Sequence, residues 1–280
     1  MTLQQMLQWG AGWLKEREVP EADLNAWYLL ADCFQMERSG YFLHQEEEAD
    51  AGKEKKFRQM IEKRGQRIPL EYILGYTEFM GLKFEVDSHV LIPRQDTETL
   101  VELVLNEQKD KNVSILDMCT GSGCIAVSLK KLGGYACVEG ADISEEALKV
   151  AKRNSEEILE NSDVNSSRTG VIFRRSDMFS AFPETERFNV IVSNPPYIPS
   201  AVIEELEPEV RDHEPRGALD GTADGLYFYR ILAEECAKHL TPGGHVYFEI
   251  GYDQGAAVKE LLDIHGFKDT RVIQDLTGKD

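Results

Sequence analysis

VSILDMCTGSGCIAVSLKKL, residues Val113 to Leu132, passes from an apolar segment of strand type, through small residues, into a helix-periodic run. Val113–Asp117 predicts a buried strand and Ile125–Leu132 the helix that follows it. Between them, Met118-Cys119-Thr120-Gly121-Ser122-Gly123 lets the backbone come close to a ligand, and the helix start offers unpaired N–H groups. Such a unit opens an α/β sheet. A lone glycine-rich turn is a weak sign of function.

Downstream, the alternation continues. Ala136–Ala141 predicts a second strand and Glu145–Leu159 its helix; Val171–Arg174 and Phe188–Ser193 predict two further strands. Leu226–Leu240 reads as a helix, and Thr241-Pro242-Gly243-Gly244 as a turn into a fifth strand, His245–Ile250. Leu261–Ile273 supplies a helix end and another strand. This order predicts a mostly parallel sheet with helices on both faces. The polar stretch Glu160–Gly170 is the one segment that resembles low complexity.

Upstream, Leu3, Met6, Leu7, Trp13 and Leu14 recur at helical spacing, as do Leu24, Trp27, Leu30, Cys33 and Phe34 after Pro20. Residues 1–75 therefore predict a small helical bundle. At Tyr76 the pattern becomes alternating around Gly81, which predicts a β-hairpin linker over 76–94. Asp96 is then expected to cap an amphipathic helix that opens a domain over 95–280.

Composition narrows the function. With 50 acids against 31 bases, the net charge of −19 disfavours wholesale phosphate binding and suits a basic protein partner or a cationic cofactor. The 42% apolar content is enough for a core. Apolar runs fall short of a membrane span, and MTLQQMLQWG has no basic region ahead of an apolar one, so a cytoplasmic protein is expected. The five cysteines are scattered, without CxxC spacing, which fits reduced thiols and no metal site.

The chemistry gathers at predicted strand ends. VIVSNPPYIP (Val190–Pro199) holds Asn194 at the end of a strand, made extended by Pro195, with Pro196 and the ring of Tyr197 beyond. A Pro-Pro turn with no ligand is the plainer reading of this motif alone. Asp142 ends the second strand about 20 residues after the glycine turn, where an acid can hold ribose hydroxyls; it can also cap the next helix. Asp177, beside Met178 and Phe179, can bond and sandwich an adenine, or be a turn acid. No glycine stands at Cys124, Ile125 or Ala126, so the nicotinamide pattern GxGxxG is incomplete and a cofactor without pyrophosphate, such as S-adenosylmethionine, fits better.

PLEYILGYTEFMGLKFEV, LIPRQDTE, LDMCTGSGCIA, SDMF, SNPPYI and EPRGALDG occur in this order, and together resemble the glutamine-specific protein methyltransferases that modify peptide chain release factors. The resemblance runs from about Pro69 to Gly251, with the N-terminal bundle compatible with that family's recognition domain. It implies a class I S-adenosylmethionine-dependent methyltransferase: α/β, Rossmann-like, with a seven-stranded, mostly parallel sheet and one reversed strand near its edge. It implies that Cys119, Thr120, Gly121, Ser122, Gly123 and Asp142 bind S-adenosylmethionine, released as S-adenosylhomocysteine. Asp177, Met178 and Phe179 would lie near the adenine, and Asn194, Pro195, Pro196 and Tyr197 would hold the substrate glutamine. Two positions depart from the family pattern: Cys119 stands where many relatives have glycine, and Met178 where an aromatic is common.

Physically, an amide nitrogen is a poor nucleophile because its lone pair is delocalised. The Asn194 oxygen and the Pro195 carbonyl can each accept one N–H of a substrate NH₂, with Tyr197 and Phe79 flanking its plane. The expected substrate is the glutamine of the release-factor GGQ motif, and the expected enzyme a monomer without membrane or direct nucleic-acid partners. Competing readings are the same chemistry on a ribosomal protein, an adenine-N6 nucleic-acid methyltransferase, a non-catalytic binding protein and a nicotinamide oxidoreductase.

Overall fold

The computed structural model describes residues 1–160, 170–274 and 278, so the polar stretch expected over 160–170 lies almost wholly outside them. Contacts divide the chain into two units: Met1–Gly75 with Glu207–His213, and Tyr76–Leu206 with Glu214–Asp280.

The first unit packs α1 (Leu3–Lys15), α2 (Ala22–Phe34), α3 (Arg38–His44), α4 (Ala51–Gly65) and α5 (Leu70–Leu74). Thr2 starts α1 through a capping box, its hydroxyl taking the Gln5 N–H while the Gln5 side chain takes the Thr2 N–H. The apolar faces read from the sequence meet in a core of Leu3, Met6, Leu14, Leu29, Leu30, Phe57 and Ile61. Gly10 permits a close approach, since a Cβ there would lie 2.8 Å from the Phe57 ring. Glu207–His213 joins this unit through charge. Arg64, 5% exposed, donates to Asn25 Oδ1 at 2.7 Å and pairs with Glu209 at 2.8 Å. Arg67 reaches the same carboxylate at 2.6 Å. Burial raises the Glu209 pKa, but Arg67 and Arg64 outweigh it and hold the carboxyl below its ordinary value.

The second unit opens with an antiparallel hairpin, β1 (Tyr76–Phe79) and β2 (Leu82–Glu85), followed by α6 (Gln95–Glu107). The expected Asp96 cap is not formed. Arg94 occupies the cap in an extended conformation and pairs with Glu214, which leaves Asp96 inside the first turn, where it favours the helix dipole. Then come β3 (Ser114–Met118), α7 (Cys124–Gly133), β4 (Cys137–Asp142), α8 (Glu145–Glu160), β5 (Ile172–Arg175) and β6 (Phe188–Ser193). Short helices α9 (Ser200–Ile203) and α10 (Pro208–His213, the segment claimed by the first unit) precede α11 (Tyr227–His239), β7 (Leu240–Phe248) and α12 (Gly255–Ile264).

The strand order is β5-β4-β3-β6-β7, every pairing parallel. Side-chain alternation splits the core: Ile115, Val190 and Val192 belong to one cluster, Leu116, Met118 and Ile191 to the other. Both faces are therefore covered, as a parallel sheet requires. The fold is a parallel α/β sheet as expected, but with five strands among the described residues, not the seven expected, and no reversed strand among them. Of Leu261–Ile273, expected to supply a helix end and a strand, only the helix end is formed, and residues 265–273 are not in a strand. Segment Phe267–Ile273 instead faces the Gly244–Tyr252 edge across a groove of about 570 Å³, so no ladder closes there. The expected Thr241–Gly244 turn is a bulge within β7, since Leu240 and His245 pair with Phe188 and Val190.

Register fixes where ligands can meet the sheet. Met118 lies beside both Ala141 and Ser193, and Ser193 beside Phe248. The loops after β3, β4, β6 and β7 thus leave the same sheet edge from adjacent strands, the usual ligand crevice of such folds.

Candidate active site

The turn after β3 is held from below by Asp117. This fully buried carboxylate accepts the Thr120 hydroxyl at 2.6 Å and the Ala126 N–H at 3.1 Å through Oδ2, while Oδ1 has no partner. Burial raises its pKa to about 7, against the pull of Thr120 and Ala126. Cys119, Gly121 and Gly123 all take positive φ, at 63°, 54° and 80°. For Cys119, where the family pattern expects glycine, that conformation costs roughly 1–2 kcal/mol.

Asp142 sits at the end of β4 and bonds across to this turn. Its Oδ2 accepts the Gly121 N–H and its Oδ1 the Ser144 N–H, both at 2.9 Å. The alternative role of helix cap falls to Ser144, whose hydroxyl accepts the Ala147 N–H. Burial pushes the Asp142 carboxyl up, while the Ser144 and Gly121 N–H groups draw it down. Met178, also at positive φ, brings its sulfur 4.0 Å from that of Cys119. Phe179 does not line this turn with an open face; its ring stacks on His239 at 4.9 Å within the core. Asp177 is exposed. Desolvation raises the Cys119 thiol furthest, and Asp142, Asp117 and Asp177 add to the rise: the turn lies in a negative field.

The second half of the site hangs from β6. Ser193 locks the strand end by donating to the Met118 carbonyl at 2.7 Å, and its own carbonyl accepts the Glu249 N–H at 3.0 Å. Asn194 follows, half-buried, its Nδ2 on the Thr97 hydroxyl at 3.2 Å. Pro195 and Pro196 are buried. The Tyr197 hydroxyl donates to Glu249 Oε1 at 3.4 Å, and the Tyr197 carbonyl accepts from Gln254 at 3.0 Å.

The EPRGALDG motif braces this loop. Ile198 N–H bonds the Leu219 carbonyl, and Gly221 N–H bonds the Ile198 carbonyl. A Cβ on Gly221 would lie 2.8 Å from Tyr197 backbone, and one on Gly225 2.3 Å from the Tyr197 carbonyl oxygen. Phe79, expected beside the amide, is 1% exposed and packs edge-on against Phe84 at 5.9 Å.

Three residues of this site do not stand out as functional in the sequence. Asp117 is one. Thr97 and Glu249 are the others: Thr97 is 2% exposed, and Glu249 keeps Oε2 shielded from solvent without a close partner. Their sequence signal is only membership of LIPRQDTE and of the run after β7.

Residues 5–75 match the family described as the PrmC N-terminal domain, and residues 94–205 the methyltransferase small domain. A release factor glutamine methyltransferase of Geobacter sulfurreducens is 39% identical over 100% of this chain and 94% of its own length. One of Clostridium botulinum is 39% identical over 100% of this chain and 97% of its own. Among solved structures, a methyltransferase from Pyrococcus furiosus shares the fold at a TM-score of 0.50, with 22% identity over 71% of this chain and 85% of that one.

Proposed function

The chain belongs to the release factor glutamine methyltransferases, and from that premise we propose that Asn194-Pro195-Pro196-Tyr197 holds the amide of a release-factor GGQ glutamine for methylation on its nitrogen. The observation that carries this reading is the placement of Asn194: a rigid, half-buried amide one strand away from the Asp142-bonded turn, at the same sheet edge.

The residues at the first turn fit S-adenosylmethionine. The sulfonium is cationic, and Asp142, Asp117 and Asp177 create a negative field at Cys119. A Cβ at Gly121 would meet open space, so the backbone there is free to face a ligand. Cys119, Thr120, Gly121, Ser122 and Gly123 would hold the cofactor backbone to backbone, Asp142 its ribose hydroxyls, and Asp177 with Met178 its adenine. Phe179 acts from behind, since its ring is spent on His239. When bound, the cofactor supplies a methyl group bonded to positive sulfur.

The chain's own residues prepare the nitrogen. Asn194 Oδ1 and the Pro195 carbonyl accept the two N–H groups of the substrate amide, which aims the nitrogen and stabilises positive charge as it grows there. Tyr197 walls one side of the amide plane. Its hydroxyl stays protonated because burial and Glu249 both raise its pKa. The net negative charge favours a basic partner, and the N-terminal helical unit serves recognition. The enzyme would act as a monomer in the cytoplasm, where translation takes place. No helix among the described residues is long and apolar enough to cross a membrane.

The test is methyl transfer from labelled S-adenosylmethionine to a purified release factor, with the site located by mass analysis. One methyl on the GGQ glutamine is expected, and loss of at least about a thousandfold in rate for Asn194→Ala at unchanged Tm. Label on a ribosomal protein glutamine, or wild-type rates in Asn194→Ala, would overturn the substrate or the clamp respectively.

A further inference from the structure

Two glycines precede the glutamine in a GGQ motif, and glycines offer an enzyme no side chain to grip. Such a segment is held through its peptide groups: a backbone carbonyl takes a donor, a backbone N–H an acceptor. Asn194 and the Pro195 carbonyl are engaged with the side-chain amide in the clamp. The backbone of the glycine pair therefore calls for a separate group.

Arg94 is placed to be that group. It caps the start of α6, three positions ahead of Thr97, whose hydroxyl accepts Asn194 Nδ2 at 3.2 Å. Its guanidinium pairs with Glu214, the first residue of EPRGALDG. Farther along that motif, the Leu219 carbonyl and the Gly221 N–H bond the backbone of Ile198, next to Tyr197. Arg94 is thus connected to both ends of the clamp, to Asn194 through α6 and to Ile198 through the EPRGALDG segment. Its charge reaches the Tyr197 hydroxyl, where it opposes the rise in pKa caused by burial and Glu249.

The ion pair is built to leave the arginine open. Glu214 has a side chain only 1% exposed and divides its oxygens: Oε1 pairs with Arg94 Nη2, and Oε2 accepts the Ile92 N–H at 3.2 Å. A carboxylate divided in this way does not take the guanidinium by two parallel bonds, the arrangement that would saturate one edge of the fork. Arg94 stays 40% exposed, and its Nε and Nη1 make no hydrogen bond among the described residues.

We propose that Arg94 is a specificity-determining residue that donates to the backbone carbonyls of the glycine pair in the release-factor GGQ loop, with Glu214 positioning it. This rests on the clamp reading given above and adds to it recognition of the residues ahead of the glutamine. The charge balance agrees. The substrate nitrogen becomes positive as the methyl arrives, and a bare guanidinium nearby would oppose that; paired with Glu214, Arg94 is a donor with little net charge.

Arg94→Met removes the donors at similar length. Arg94→Met/Glu214→Gln also removes the carboxylate that would otherwise stay buried without its partner, while the new amide oxygen still accepts the Ile92 N–H. Both are compared with Arg94→Lys and Asn194→Ala in release-factor methylation, cofactor binding and thermal melting. Loss of a hydrogen bond from a charged donor should raise KM for the release factor about tenfold or more in both Arg94→Met forms. Their kcat should hold within about threefold and Kd for S-adenosylmethionine should not change, because the contact lies away from the reacting atoms. Arg94→Lys, a point donor without the fork, should fall between them and wild type. Tm should drop in Arg94→Met and recover in the double variant while KM stays high, a split that a purely structural ion pair would not give. Wild-type KM in the double variant, with Asn194→Ala inactive, overturns the role of Arg94 and leaves the clamp standing. So does a fall in kcat with KM unchanged. Normal turnover in Asn194→Ala would instead remove the clamp itself.

Discussion

Gly225→Ala tests whether the loop bearing Asn194 must be held to within an ångström. Gly225 sits at φ +73°, and an added Cβ would fall 2.3 Å from the Tyr197 carbonyl oxygen and 2.5 Å from Gln254 Nε2, where ordinary contact begins at 3.4 Å. The backbone carrying Tyr197 therefore has to retreat by about 1 Å. That retreat pulls on the Gln254 bonds to the Tyr197 and Gly225 carbonyls, at 3.0 and 3.3 Å. Losing one such bond costs about 1 kcal/mol, and an L side chain at positive φ adds about 1–2 kcal/mol. The sum, about 2–3 kcal/mol, lowers Tm by roughly 4–12 °C. Catalysis should suffer more sharply, since a misplacement of about 1 Å at a reacting group costs on the order of a hundredfold in rate. Release-factor methylation gives kcat, calorimetry gives Tm, and titration gives the S-adenosylmethionine Kd. That Kd should hold, because the atoms crowding the new Cβ belong to Tyr197, Gln254 and Pro199 and not to the Cys119–Gly123 turn. Gly217→Ala is the control: its Cβ meets nothing within 4 Å, so it should behave as wild type. Wild-type kcat and Tm in Gly225→Ala would refute the bracing of the loop by this glycine.

Other perturbations separate cofactor, core and helical unit. Asp142→Asn removes a charge-assisted acceptor from Gly121 or Ser144 and should weaken S-adenosylmethionine binding roughly tenfold to a hundredfold, read by calorimetric titration; an unchanged Kd would contradict the ribose role. Asp117 has its folded pKa raised to about 7 by burial, above its unfolded value, so its contribution to stability is present below about pH 4 and is lost as pH rises through 7. Asp117→Asn should flatten that part of the stability profile and raise Tm relative to wild type at pH 8, with little gain at pH 4; parallel profiles would count against it. Glu209→Ala leaves Arg64 buried without its partner and should cost about 3 kcal/mol in denaturant melts, while Glu209→Asp should cost less. Equal stability of wild type and Glu209→Ala would show the pair to be energetically idle.

Local patterns are legible where one strand and its own turn contain the whole argument. β6 occupies Phe188–Ser193 as its apolar run predicts, and the small-residue turn after β3 takes the positive φ values that its glycines permit. What escapes the sequence is the pairing of distant polar groups. Thr97 bonds Asn194 across 97 positions, and Glu249 lies farther still along the chain, so neither carries a spacing signal. Phe79 illustrates the opposite error: an aromatic beside a functional motif is expected at the ligand, but apolar area draws it into the hairpin core. Asp96 has the pattern of a cap because it precedes a helix-periodic run, yet the ion pair of Arg94 with Glu214 moves the helix start upstream. The strand expected within Leu261–Ile273 is not found there for a related reason, because a strand needs a neighbour's ladder and Phe267–Ile273 stands across a groove from β7.

The Arg64–Glu209 pair also sets a timetable. A ribosome finishes the helices of residues 1–75 long before it reaches Glu209, so the nascent bundle carries a guanidinium that has Asn25 beside it but no carboxylate. At synthesis rates of roughly 5–20 residues per second, the wait lasts about 7–27 s. An N-terminal unit that cannot neutralise its buried charge until the chain doubles back is completed only after most of the parallel sheet has been made. Its maturation is tied to that of the catalytic unit, and a truncated product that stops before residue 207 leaves both unfinished.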